Sequence, residues 1–235
     1  MLIWCANKII RYTVIVLLLC ATESKGQLWN IGINAGIATY SYQELRDYQH
    51  YIQSQIKVEG TITEDFPAYF IYSININRQL NKWILEVEVG HGSTGGRVYY
   101  EDYSGKFSCD QIIKYNYLNF SSSRILLEKN GFMITGGIKT LFIFHKLTIE
   151  NYLKIGNQVL SEEEDFSALN FGLQPYFKMK RNFKTTFIQV SCGYEVQSKS
   201  EPTSSDGLFL AGENGNPVHL QGGGFRVTVG VGFRI

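Results

Sequence analysis

Residues 225–235, FRVTVGVGFRI, decide the fold class of this chain. Every second residue from Phe225 to Ile235 is apolar, and small, polar or charged residues stand between them. Successive side chains of a strand point to opposite faces, so the pattern predicts one strand with an apolar face and a polar face. A strand of about 9–11 residues with this alternation has the length and pattern needed to cross a bilayer as part of a β-barrel.

Similar alternation recurs along the chain and predicts about eight strands. We place them near 29–40, 68–78, 82–91, 111–122, 132–142, 168–178, 186–197 and 225–235. The predicted long connections are 41–67, 92–110, 143–167 and 198–224. Long connections that alternate with short ones are typical of outer-membrane barrels, which have long extracellular loops and short periplasmic turns. The predicted fold class is therefore all-β, an antiparallel up-and-down transmembrane β-barrel of about eight strands.

Residues 1–26 are predicted to be a cleaved secretory signal peptide. Lys8 and Arg11 carry positive charge, residues 12–19 (YTVIVLLL) are a short apolar run, and Ser24 and Gly26 are small residues at a cleavage site. The apolar run is shorter than the roughly 20 residues that a spanning helix needs. Residues 27–235 then form one barrel domain, expected in the outer membrane. A lipoprotein processed at Cys20 is a less favoured alternative.

Composition narrows the expected partners. The net charge of +1 argues against general attraction to nucleic acid. Neither Cys109 nor Cys192 belongs to a CxxC motif, and the four histidines lack metal-ligand spacing, so no metal or other cofactor is predicted. The expected partners are outer-membrane lipid and, through the loops, an extracellular protein or glycan. The protein is expected to be a monomer.

Alternation alone leaves the orientation of the two faces open. A soluble secreted lipocalin-like barrel, which binds an apolar ligand, would turn its apolar face inward. The polar faces here are rich in glycine, asparagine and serine, which suit a narrow lumen better than a solvated surface. This favours the membrane barrel.

These features together resemble the small outer-membrane β-barrels of Gram-negative envelopes, and most closely the PorT-like group. The resemblance rests on a signal peptide that ends in glycine before Gln27, about eight strands, a closing strand at 225–235, and the glycine pair in ITGG at 134–137. Residues 118–121 read LNFS, where that group often has an acidic residue and a proline. The resemblance implies a fold and a location, and it implies no catalytic residues.

Six charged residues fall on the predicted inner face and form a candidate lumen network. They are Glu86, Glu88, Lys139, Glu195, Arg226 and Arg234. Buried charges must be paired, because desolvation costs several kcal/mol for each ion. Glu195 and Arg226 lie at similar heights on adjacent predicted strands and could pair, and Lys139 or an arginine could serve Glu86 and Glu88.

An eight-stranded barrel is only wide enough for its own side chains, so an open channel is not expected. The predicted function is a structural or surface-interaction role with a plugged polar lumen, although a proton or ion path along the charged network stays open. No enzymatic activity is predicted. One alternative is a lipid- or peptide-modifying enzyme at the extracellular rim, where His91 and Ser93 could form a base and nucleophile if a third group oriented them.

Two further segments are expected in loops. The glycine-rich residues 90–96 (GHGSTGG) are expected to begin a flexible loop. The acidic run at 161–165 (SEEED) is expected in a solvated loop, because it lacks the spacing of a calcium-binding loop.

Overall fold

The computed structural model describes residues 29–56, 60–103, 105–213 and 215–235. The predicted signal peptide at 1–26 lies outside these residues. The elements in chain order are β1 (Trp29–Ala38), α1 (Gln43–Gln55), β2 (Thr61–Asp65), β3 (Tyr69–Leu80), β4 (Trp83–Glu101), β5 (Gly105–Lys129), β6 (Phe132–Ile155), β7 (Gln158–Asn182), β8 (Thr186–Gln197), β9 (Thr203–Ser204) and β10 (Gly224–Arg234). No described helix is long and apolar enough to span a membrane.

Eight of these strands close into an antiparallel ring. β1 pairs with β3 on one side and with β10 on the other, and the ring runs β1-β3-β4-β5-β6-β7-β8-β10 and back to β1. The pairing of β4 with β5 completes the ring. The prediction of an all-β, up-and-down barrel of about eight strands is confirmed.

The two faces of each strand point as a membrane-spanning barrel requires. On β1 the exposed residues are Ile31, Ile33, Ala35 and Ile37, whereas Asn30 and Asn34 are buried. Val229 on β10 is 53% exposed, and Asn75 on β3 is 1% exposed. The apolar faces therefore form an outer belt and the polar faces line the lumen, which is the reverse of a lipocalin-type barrel.

The two ends of the ring differ. One end has the short connections at 81–82, 130–131 and 183–185, and we call it the turn end. Asn130 and Gly131 both have positive φ, 52° and 76°, as a two-residue hairpin turn requires. The other end carries α1 and the segment 198–223, and we call it the loop end.

Two predicted long loops are instead strands. The 92–110 connection is mostly β4, which ends at Glu101, and β5, which begins at Gly105. The 143–167 connection is the upper part of a β6–β7 hairpin. Residues 92–110 alternate only weakly. On β6 the apolar face changes from the outside, at Ile138, to the inside, at Leu147 and Ile149, so the outward pattern of the belt does not continue in either connection. The acidic run at 161–165 accordingly lies on β7, not in a loop.

The other two predicted loops close the loop end. Residues 41–67 contain α1 and β2, and β2 pairs with the upper part of β4. Leu45 of α1 packs in one core cluster with Phe66, Leu147 and Leu220. We call α1 together with 198–223 the lid, because it covers the mouth of the barrel with apolar side chains. Cys109, predicted in a loop, is buried in this cluster on β5.

A charge placed midway along the outer belt should destabilise the barrel in lipid. Val229→Arg is expected to lower the free energy of unfolding by about 2–4 kcal/mol, because the guanidinium would lie near the bilayer midplane. Ile235→Arg, at the end of β10, is expected to cost about 0–1 kcal/mol. Urea unfolding in phospholipid vesicles measures both. Equal effects at the two positions would contradict a lipid-facing belt.

Candidate functional site

The turn-end half of the lumen holds two ion pairs that cross the barrel to β4. Lys139 Nζ on β6 lies 2.5 Å from Glu88 Oε2, and Lys178 Nζ on β7 lies 2.6 Å from Glu86 Oε2. Asn75 Nδ2 donates a hydrogen bond to Glu86 Oε2 at 2.7 Å. These side chains are almost completely buried, so each charge has a partner where water is excluded.

A third pair lies higher in the lumen. Arg226 Nε on β10 is 2.5 Å from Glu195 Oε2 on β8, and Arg226 Nη2 donates to Glu195 Oε1 at 2.9 Å. The guanidinium carbon also lies 5.6 Å and 5.3 Å from the ring centroids of Tyr115 and Tyr117. The fork geometry and the two rings fix the orientation of Arg226.

The sixth predicted residue, Arg234, stands apart from these pairs. It lies half-buried at the turn end, and it makes no ion pair with any described residue. The structure thus brings five of the six predicted residues into pairs and leaves Arg234 near the rim.

Sequence reasoning missed two lumen lysines. Lys178 supplies the cation for Glu86. Lys180 donates to Asn30 Oδ1 at 3.0 Å, and its Nζ lies 3.8 Å from the centroid of the Phe187 ring. The predicted strand ends at 178, so Lys178 is its last residue and Lys180 falls outside. Extending the period-two pattern from Gln174 through Tyr176 would have found both.

Glycines on the inner face of β4 make room for the tyrosines. A Cβ on Gly90 would overlap the Tyr117 ring, and a Cβ on Gly92 would overlap the Tyr115 ring. The expectation that 90–96 begins a flexible loop is therefore wrong. These residues are part of a strand, and the absence of side chains lets the rings fill the lumen.

One carboxylate links the two parts of the lid. Glu44 of α1 accepts hydrogen bonds from Lys199 Nζ, from the His219 backbone N–H and from His219 Nδ1, each at 2.8 Å. Although partial burial opposes ionisation, these donors hold the pKa of Glu44 at about 2, below its ordinary 4.5. Glu44 thereby ties α1 to the segment 198–223.

The candidate base and nucleophile lie on the outer side of β4. His91 Nδ1 is 2.9 Å from Asn116 Oδ1, and the His91 ring lies 5.3 Å from the Tyr72 ring. The hydrogen-bonding partner of His91 is thus an amide rather than a carboxylate. Among the described residues there is no group of three or more His, Cys, Asp or Glu that could hold a metal.

Comparison with known proteins finds similarity only among solved structures. No family model and no curated protein matches the chain. The chain is similar to neisserial surface protein A (9% identity, 89% of this chain and 99% of that one, TM-score 0.37). It is also similar to Ail, the attachment invasion locus protein of Yersinia pestis (13% identity, 90% and 100%, TM-score 0.36). A third similar structure is the outer membrane protease OmpT from Escherichia coli (9% identity, 92% and 99%, TM-score 0.43). These values are too low for any residue role or activity to be transferred.

Removing one partner of the Glu195–Arg226 pair should destabilise the barrel. Glu195→Gln leaves the Arg226 charge buried without a counter-ion, which costs about 3–5 kcal/mol. The double variant Glu195→Gln/Arg226→Gln should recover most of this loss. Urea unfolding of the folded protein in lipid measures both.

The exposed pair Lys146–Asp165, at 2.8 Å, is the matched control. Lys146→Gln should leave the unfolding midpoint almost unchanged, because water screens an exposed pair. An equal loss for the lumen pair and the surface pair would show that burial does not set the cost of removing a partner, and would contradict the prediction.

The lid should loosen in acid. The pKa of Glu44 is lower in the folded protein than its ordinary value, so its contribution is complete above pH 4.5 and is lost as the pH falls toward about 2. Amide hydrogen exchange in α1, corrected for the intrinsic rate, should therefore accelerate over that range. Glu44→Gln should show fast exchange at every pH. Unchanged protection of α1 down to about pH 2 would refute the prediction.

Proposed function

We propose that this chain is an outer-membrane β-barrel protein with a sealed lumen. Its role in the cell envelope is structural, or is to bind a partner at the loop end. The main observation behind the proposal is that the ring exposes apolar side chains on its outer face and buries polar and charged ones in its lumen. Phe70 is 71% exposed on the outer face, whereas the charged Glu86 is 4% exposed in the lumen.

The outer belt supports residence in a membrane. All eight ring strands expose apolar side chains, and a continuous apolar surface of this kind would favour association in water. A closed ring also satisfies every backbone hydrogen bond internally, which a lipid environment requires. Outer-membrane lipid is then the first partner. Export through the signal peptide predicted at 1–26, and membership of the PorT-like group, are parts of the same proposal.

The lumen supports a role other than transport. Lys139 and Lys178 reach across the interior to β4, and the side chains of these ion pairs are at most 10% exposed. Side chains that lined a continuous water-filled pore would be exposed to it. The buried rings of Tyr115 and Tyr117, together with the lid, close the lumen a second time.

The loop end is therefore the surface through which the protein would act. Long outer-membrane loops face the cell exterior, whereas short turns face the periplasm. An extracellular protein or glycan is the proposed partner, and the ring, which has no free edge at the belt, is proposed to act as a monomer. No catalytic role is proposed for His91 and Ser93, because the orienting partner of His91 is an amide.

Gel mobility and bilayer conductance test the proposal together. The protein should be recovered in the outer-membrane fraction and should migrate faster unboiled than boiled, because a closed barrel resists detergent until it is heated. Purified protein in planar bilayers should give no stable conductance steps, with a known porin as the positive control. Recovery in the soluble fraction without a mobility shift would overturn the membrane assignment, and regular conductance steps would overturn the sealed lumen.

A further inference from the structure

The upper part of β7 has an open edge. Residues 158–165 pair with β6 from Ile155↔Gln158 to Thr148↔Asp165. On the other side, β9 pairs with β7 only at Phe166 and Ser167, and β8 pairs only from Gly172 onward. No described residue pairs with the second edge of 158–165, and both faces of this segment are exposed. Its backbone N–H and C=O groups are therefore available to another strand.

The opposite edge of the same sheet is covered. β2 pairs with upper β4 from Thr61↔Tyr99 to Asp65↔Gly96. β2 is therefore the outermost strand on that side, and Arg46 and Gln49 of α1 donate hydrogen bonds to the backbone oxygens of Asp65 and Glu64. The chain itself thus partly covers that edge. The edge at 158–165 is available for recognition of a partner.

The side chains at this edge favour a cationic partner. Glu162 and Glu164 lie on the inner face of β7, the face that carries the buried Phe166. On the outer face, Asp165 already pairs with Lys146, and Glu163 is exposed. Exposed Val159 and Leu160 add apolar contact area on the two faces.

An acidic, aromatic cleft lies between α1 and residues 212–213 and 216–218. Its volume is about 290 Å³, and it is lined by Glu44, Asp47, Tyr48, Tyr51, Glu213 and Val218, among others. The Tyr48 and Tyr51 ring centroids are 6.3 Å apart. No described cation pairs with Asp47 or Glu213, although Glu44 is occupied by Lys199 and His219. Carboxylates beside aromatic rings suit an ammonium or guanidinium group.

Tyr48 connects the cleft to the open edge. The Tyr48 side chain packs against the core cluster that contains Phe166 of β7, and Phe166 lies on the same face as Glu162 and Glu164. The cleft therefore adjoins the strand that carries the carboxylates of the edge.

We propose that the open edge at 158–165 and the adjacent cleft form a docking surface for an extended cationic peptide segment of an extracellular protein. The segment adds as a strand to β7 through main-chain hydrogen bonds, its basic side chains face Glu162 and Glu164, and one of them enters the cleft. This deepens the proposed function and rests on it in one respect, namely that the loop end faces the cell exterior.

A second copy of this chain is a poorer occupant of the edge. Two such edges paired together would place acidic side chains opposite one another, which destabilises a strand pair. A cationic segment meets the same carboxylates with opposite charge.

Fluorescence anisotropy with a labelled peptide tests the charge requirement. The probe is a synthetic peptide of alternating lysine and valine, and the protein is the full folded barrel in detergent micelles. We expect saturable binding, with Kd raised about fivefold or more by Glu162→Gln/Glu164→Gln, as two partly exposed ion pairs would give. Asp47→Asn/Glu213→Gln should weaken binding in the same way. Glu163→Gln, the same change on the opposite face of β7, should leave Kd within about twofold.

Backbone methylation of the probe tests strand addition. Two peptides are made, each N-methylated at one of the two alternating sets of residues. Only one set of peptide N–H groups can pair with β7, so one methylated peptide should lose binding and the other should keep it. Equal binding by both peptides, or binding by an alternating glutamate–valine peptide, would overturn the proposal.

The mass of the protein in micelles without peptide tests the competing occupant. A monomer is expected, and a dimer that Glu162→Gln/Glu164→Gln strengthens would show that a second copy takes the edge and would overturn the proposal. The peptide assay uses purified protein in micelles. If no peptide bound, the gel-mobility and conductance results would therefore be unaffected. Those results alone test the proposed function.

Discussion

Closure of the ring between β1 and β10 is the constraint on which the rest of the structure depends. The register runs from Asn30↔Arg234 to Ala38↔Arg226, so the apolar residues of β10 from Val227 to Phe233 meet outward positions of β1. Because side chains alternate with a period of two, a slip of one residue would turn each apolar face into the lumen. Closure also gives every ring strand a neighbour on both sides at the belt, which allows the same surface to face lipid.

The buried charges follow from that closure. With the apolar faces outside, the polar residues of all eight strands meet in a space with little room for water. Lys139 and Lys178 form ion pairs with Glu88 and Glu86 of β4, across the ring, and not with carboxylates of neighbouring strands. Such buried pairs add little net stability, because the cost of desolvating the two ions offsets most of their mutual attraction. Gly90 and Gly92 let Tyr117 and Tyr115 fill the remaining space.

The loop end is stabilised in a different way from the belt. There β4 to β7 continue beyond the ring, and an apolar core forms between these strands and the lid. Its inward residues, such as Leu147 and Leu220, pack as in a water-soluble domain. At the belt, the barrel therefore has its apolar residues outside. At the loop end, the protein has a small apolar core inside. The open edge of β7 and the cleft beside α1 both lie in this upper part, where specificity for a partner can vary without disturbing closure.

The sequence by itself determined the all-β class, the strand number and the polar character of the inner faces, because each depends only on local alternation. It also placed Glu195 and Arg226 on adjacent strands at similar height. It did not reveal α1, the long upper strands at 92–110 and 143–167, or the roles of Lys178 and Lys180. Above the belt the apolar face of β6 lies inside instead of outside, so the outward alternation of the belt does not continue in phase there. Which cation meets which carboxylate depends on distances across the closed ring, and only the tertiary structure brings those residues together.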